Sequence, residues 1–137
     1  MMVLSIDYGT SHIGLAIGDS EVLIALPYKT ISHKSRQDLF DEIVNIIKVE
    51  NIHQLVVGEP LVAHTATPGY ESSLSAVHDF VTKLGEATQL PVEMVDERFS
   101  TEQAKQLQQA GSKISDHELS AMLILQSYFD TIKPEKT

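Results

Sequence analysis

The sequence predicts an α/β fold built on one mixed sheet, and three observations carry that prediction. The first 31 residues are dominated by β-forming, alternating patterns broken by turns, the mark of antiparallel strands. From residue 35 onward the period changes, and amphipathic helical stretches alternate with short apolar runs, as crossovers between parallel strands require. The resulting order, βββ-α-β-α-β-α-α, contains no internal repeat, linker or low-complexity segment. One domain over residues 1–132, with a frayed tail at 133–137, is the expected organisation of the 137-residue chain.

The first strand is the apolar run Val3, Leu4 and Ile6, which stops at the carboxylate Asp7. Gly9 supplies the permissive backbone of a turn. Ile13, Leu15 and Ile17 then alternate with Gly14, Ala16 and Gly18 as a second strand. After a turn at Asp19 and Ser20, residues 21–31 are rich in β-formers, and Pro27 among them predicts an edge strand or a bulge. Leu39, Phe40, Ile43, Ile46 and Ile47 mark a helix over about 35–50. A buried-type strand follows at residues 54–58, then a loop over 59–68. Thr67 and Pro68 have the form of a cap followed by proline, opening a helix marked by Leu74, Val77, Phe80, Val81 and Leu84. Residues 92–96 make the next strand, ending in Asp96-Glu97-Arg98. Ser100 with Gln103, and Ser115 with Glu118, are two capping-box patterns. The second opens a last helix with Leu119, Met122, Leu123, Gln126 and Phe129 expected on one side.

Composition narrows the function classes. The net charge is −9, with Arg36 and Arg98 the two arginines, so a general nucleic-acid coat protein resting on a basic surface is disfavoured. An enzyme that neutralises phosphate locally with metal ions is compatible with that charge. The basic cluster His33-Lys34-Ser35-Arg36 reads as a solvated helix start or a binding patch. Cysteine is absent, which removes disulfides, zinc–thiolate sites and a thiol nucleophile. No apolar run approaches the ~20 residues of a membrane span, and no leader pattern opens the chain. A cytoplasmic protein that does not engage membranes is expected.

Ligands of open α/β sheets collect beyond the carboxyl ends of strands. The strands ending in Asp7, Gly58 and Asp96-Glu97 are expected to be the inner ones, which would bring Asp7 and Glu97 together from neighbouring strand ends. Two carboxylates with a third group from a helix form an oxygen-rich site for Mg²⁺ or Mn²⁺, able to activate water against a phosphodiester. The start of the last helix, Ser115-Asp-His-Glu118, offers that group. Ser115, Asp116 and Glu118 are also explained as helix capping and dipole pairing, whereas His117 is surplus to that explanation. Arg98 either pins a loop or touches phosphate. Glu59 and His64 flank a proline loop as further ligands or as solvated charges. His12, His33, His53 and His78 have no spacing that pairs two of them on one element.

The segments Ile6-Asp-Tyr-Gly-Thr-Ser-His-Ile-Gly-Leu-Ala-Ile-Gly18, Val56-Val-Gly-Glu-Pro-Leu61, Val95-Asp-Glu-Arg-Phe-Ser-Thr101 and Ala121-Met-Leu-Ile-Leu-Gln-Ser-Tyr-Phe129 resemble the YqgF/RuvX family. These are small bacterial RNase H-like proteins described as Holliday-junction resolvases and as nucleases maturing the 5′ end of pre-16S ribosomal RNA. The resemblance implies a five-stranded sheet in order 3-2-1-4-5 with helices packed on it. It also implies a metal-dependent nuclease using Mg²⁺ or Mn²⁺, acting on structured RNA or branched DNA, with ribosomal precursor particles as partners. Asp7 falls on the family's first-strand acid and Glu97 on the acid of its Asp-Glu-Arg segment. Ungapped counting puts the third acid at His117, with Asp116 beside it as the alternative. Where the family usually has Lys-Arg after the glycine turn, this chain has Ser11-His12. Its Gly-Leu-Pro-Leu-Asn loop appears here as Gly58-Glu-Pro-Leu-Val62.

Two other readings stay open on the residues. A catalytically weak nucleic-acid or ribosome-assembly binding module could keep the same scaffold. Asp7-Tyr-Gly-Thr10 also fits the phosphate loop of actin-like or sugar-kinase ATPases, which clamp nucleotide between two such domains; 137 residues have room for one.

Overall fold

The computed structural model of the chain describes residues 1–9, 12–32, 35–59, 70–96 and 114–132. Expectations for Glu97, Arg98, the Ser100–Gln103 box and its helix, His64, Thr67, Pro68 and the 133–137 tail fall outside the described residues. Five strands, β1 (Met2–Tyr8), β2 (His12–Asp19), β3 (Leu26–Ser32), β4 (Ile52–Glu59) and β5 (Val92–Asp96), form one sheet in the order β3-β2-β1-β4-β5. Pairing is antiparallel between β1 and β2 and between β2 and β3, and parallel from β1 to β4 and from β4 to β5. The mixed sheet and its strand order are those expected.

Helices α1 (Arg36–Glu50) and α2 (Tyr70–Thr88) lie between parallel strands, β3 to β4 and β4 to β5. Both crossovers travel the same way across the sheet, so a common right hand puts both helices on one face. There Leu39, Ile43, Ile46, Val77, Phe80 and Leu84 meet Leu4, Ile6, Ile13, Leu15, Leu55 and Val57 in the larger core. The opposite face carries α3 (Asp116–Ile132), whose Ala121, Ile124, Leu125 and Phe129 pack on Val3, Ala16 and Val56. Strand alternation thus divides β1: Val3, Ser5 and Asp7 face α3, while Leu4, Ile6 and Tyr8 face α1 and α2.

Four expectations need correction. The strand ending in Asp96, read from the residues as an inner one, is the edge strand that the order 3-2-1-4-5 implies, and β4 separates it from β1, so Asp7 and the end of β5 are not on adjacent strands. β3 begins at Leu26, because residues 21–23 form a turn with Leu23 at φ 64° and with the Leu23 amide donating to the Asp19 carbonyl at 2.8 Å. Residues 54–58 are the centre of a longer strand, Ile52–Glu59. On α3 the buried positions are Leu119, Ala121, Ile124, Leu125 and Phe129; Met122, Leu123 and Gln126 flank them, half-buried. The proline prediction holds in both forms: Pro27 sits on the edge strand at an irregular step, where Lys29 pairs Leu15 and Pro27 pairs Ala16, leaving Tyr28 unmatched.

Candidate functional site

The approach of α3 to the sheet is permitted by residues that lack bulk. Gly14, Ala16 and Gly18 occupy the α3 face of β2, where a bulkier residue would collide with what packs on it. A Cβ on Gly14 would strike the carbonyl and Cα of His117, and one on Gly18 would meet the Phe129 ring at 2.8 Å. The Ser5 hydroxyl, fully buried, donates to the Ala121 carbonyl at 2.6 Å and pins the helix to β1. At its other end Gln126 accepts from the Ala25 amide and donates to the Leu23 carbonyl, tying α3 to the β2–β3 turn.

This docking determines where the start of α3 falls. Asp7 of β1 pairs with Gly14 of β2, and Gly14 pairs with Thr30 of β3, so three residues form one row across the sheet. His117 rests on the middle of that row. On the β3 side, the Thr30 hydroxyl donates to Glu118 Oε2 at 2.9 Å and lies 2.9 Å from the Ser115 hydroxyl. Ser115 caps the helix: its hydroxyl accepts from the Glu118 amide at 3.2 Å and donates to Glu118 Oε2 at 2.9 Å, and its carbonyl accepts the first helical bond from Leu119. The expected box is therefore present in altered form, with the Glu118 carboxylate turned to two hydroxyls. On the β1 side of the row stands half-buried Asp7, roughly 5 Å from Gly14 between Cα atoms.

The structure thus brings together Asp7 and the His117 backbone, which the sequence separates by 110 positions. Asp116 is exposed one residue earlier, about 100° around the helix, whereas His117 is half-buried. Glu97 lies outside the described residues; it follows Asp96, whose strand pairs Asp96 with Glu59 at the same end of the sheet as Asp7. Glu59 turns to the opposite face, where its Oε1 lies 3.3 Å from Nε2 of His78 on α2. It is a solvated pairing on the far side of the sheet from Asp7. Among the described residues no group of three or more Asp, Glu or His is arranged to hold a metal ion.

One site residue was not legible in the spacing of histidines. His12, at the start of β2, stacks on His117, with ring centroids 5.1 Å apart and planes within 10°. The two rings come from different elements, so no single-element spacing could pair them. Gly14 was the available signal, since a glycine inside a strand marks close approach by another backbone.

On the other face at this end, Tyr8 stacks on Phe80 at 4.1 Å, and Arg36 Nη1 reaches Asp79 Oδ2 at 2.7 Å. The bond from Arg36 holds the Asp79 carboxyl below its ordinary pKa. Bonds to Asp79 first, and then to Tyr8, raise that of Arg36. Arg36 is thereby engaged in joining α1 to α2.

The RuvX family model, described as Holliday junction resolvase, matches residues 1–131. Among curated relatives, a protein of Maridesulfovibrio salexigens named "Putative pre-16S rRNA nuclease" is 37% identical over 113 residues, covering 81% of each chain. One of the same name from Anaplasma marginale is 37% identical over 139 residues, covering 96% of this chain and 85% of its own. Among solved structures, Thermus thermophilus RuvC in complex with a Holliday junction substrate aligns with a TM-score of 0.66 at 17% identity, covering 96% of this chain and 95% of that one. The Fowlpox virus resolvase in complex with Holliday junction DNA aligns with a TM-score of 0.61 at 12% identity, covering 98% and 100%. The sheet order, the α3 packing and the match over residues 1–131 lead to one conclusion: the chain belongs to the RuvX Holliday junction resolvase family, with the RNase H-like fold.

Proposed function

We propose that this protein is a metal-dependent endonuclease that hydrolyses phosphodiester bonds in structured nucleic acid. A precursor of 16S ribosomal RNA is its foremost substrate and a four-way DNA junction the second, in the cytoplasm and with ribosomal precursor particles as partners. The ribosomal substrate ranks first because relatives at 37% identity carry it in their name, whereas the junction-bound neighbours share the fold at 17% identity or less. The observation that carries the proposal is the convergence of Asp7 and the His117 end of α3 on side-chain-free Gly14.

Asp7, Glu97 and His117 would hold Mg²⁺ or Mn²⁺, with Asp116 the alternative third group. Two carboxylates and an imidazole form an oxygen-rich donor set with one nitrogen, which fits Mn²⁺ and accommodates Mg²⁺. When bound, such an ion supplies Lewis-acid polarisation of the phosphodiester and a water of lowered pKa. Asp7 offers its carboxylate from the central strand, a rigid platform. Gly14 beside it admits the His117 backbone and so brings the start of α3 to the same row. The His117 imidazole either serves as the third ligand or, with Asp116 in its place, takes or returns a proton near the attacked bond.

The test is Mn²⁺- and Mg²⁺-dependent cleavage of a labelled pre-16S RNA fragment and a labelled four-way junction, beside Asp7→Asn. Metal-dependent cutting that disappears in folded Asp7→Asn is the expected result, and full cleavage by that variant sinks the assignment. A folded protein that cuts neither substrate and binds no Mn²⁺ is instead the weak binding module, a reading favoured by the −9 charge only if a protein partner carries it to the nucleic acid.

A further inference from the structure

We infer that His12 is a positioning residue for His117. The inference rests on the nuclease reading of Asp7 and His117. Its physical basis is a stack between two elements that are otherwise fixed. His12 belongs to β2 two residues before Gly14, on the same side of the strand by alternation, and the His117 backbone sits on Gly14. With the backbone held there, the His117 side chain retains its χ angles as freedom. The near-parallel ring of exposed His12, with its centroid 5.1 Å away, restricts that freedom by an offset stack along one side of the imidazole.

The direction in which it holds the ring matters. Along β2, His12 lies beyond the Asp7–Gly14 row, toward the carboxyl end of β1. The His117 ring therefore lies against the His12 end of β2, the end of the sheet at which β1 finishes. An offset parallel stack borders the flat side of an imidazole and leaves its two nitrogens in the ring edge, where a ligand or a proton is met. His12 thus does for His117 what partners around a metal ligand do generally: it selects one orientation in advance, without touching the reacting atoms. The contact needs a flat ring at position 12 and no particular nitrogen.

That distinction supplies the experiment. His12→Phe keeps a flat ring without nitrogens, and His12→Ala removes the stack. Three readouts are compared with the unaltered protein: the χ1 couplings and ring-proton shifts of His117 without metal, the Mn²⁺-induced broadening of its ring protons, and kcat and KM for RNA cleavage. In His12→Ala the couplings should average, the ring-current shift should vanish, and kcat should fall about tenfold with KM little changed. In His12→Phe all three should return close to the original values. A His12→Ala protein with unaveraged couplings and unchanged kcat overturns the inference. So does a His12→Phe protein as impaired as His12→Ala, since the nitrogen and not the stack would then be at work. If the unaltered protein shows no broadening of His117 by Mn²⁺, the metal reading fails by itself, and the metal-free couplings still decide whether His12 holds the ring.

Discussion

At the scale of single residues, Gly14 is where one added carbon does most. Its missing Cβ is the space in which the His117 backbone sits, so Gly14→Ala has to move the start of α3 or the strand. A destabilisation of about 1–3 kcal/mol is expected, as for overpacking in a fixed core. Cleavage should fall further than stability explains, because the displaced group is His117. Urea unfolding alongside cleavage rates of the folded variant checks both, and a wild-type rate would show that the close approach is dispensable. Gly85 is the contrast. It lies inside α2, and a Cβ there would meet Val92 Cγ2 at 3.8 Å, an ordinary contact. Gly85→Ala should raise stability by about 0.5–1 kcal/mol through helix propensity and leave cleavage unchanged. Gly14 lies in a strand and Gly85 in a helix, and the packing partner decides what an added carbon does at each.

At the scale of elements, the start of α3 is held by the Thr30–Ser115–Glu118 cluster. Ser115→Ala removes the cap and should cost about 1 kcal/mol in urea unfolding. Thr30→Val leaves the cap in place but releases it from β3, so its expected signature is a loss of cleavage with a smaller loss of stability. Equal losses would mean that the cluster stabilises without positioning. The other face has its own tie, Arg36 to Asp79, between α1 and α2. Asp79 has a folded pKa depressed below the ordinary 3.8, principally by the Arg36 hydrogen bond. Its contribution to stability is therefore complete above the ordinary value and is lost as pH falls through the folded one. Both partners are well exposed, so the bridge orients more than it stabilises. In Arg36→Gln the Asp79 carboxyl titration, followed by carbon-detected NMR, should move up toward 3.8; an unmoved midpoint would show that Arg36 is not the cause.

At the scale of the whole molecule, a three-layer arrangement separates two chemistries. The α1–α2 face is a broad apolar core, while the α3 face is narrow and carries the row from Asp7 to Thr30. A chain with 19 acidic and 10 basic residues repels polyphosphate as a body. Retention of RNA on the protein should accordingly be weak in a chelator and recover when Mg²⁺ or Mn²⁺ is added, a comparison made directly by filter binding. Equal retention in chelator would place the affinity on a basic surface that the overall charge does not suggest. No helix among the described residues is long and apolar enough to cross a membrane.

The sequence by itself determined the described strands and helices, because each is written in a local pattern: an apolar run in β1, alternation through β2, helical spacing through α1 and α2. It also determined which carboxylate ends the central strand, since Asp7 interrupts an apolar run. It erred where a local pattern had a tertiary rival. Val22 and Ile24 are β-formers, yet a turn anchored by Asp19 and Gln126 holds them outside β3. The buried side of α3 was misassigned because a helix lying across a sheet buries a broader arc than a narrow stripe, drawing in Ala121, Ile124 and Leu125. Strand neighbours and sheet faces are long-range facts: the edge position of β5 followed from the family resemblance and from no local pattern, and the turning of Glu59 away from Asp7 belonged to the tertiary structure. So did the pairing of His12 with His117: the rings meet because α3 descends onto Gly14, and no periodicity within either element records that contact.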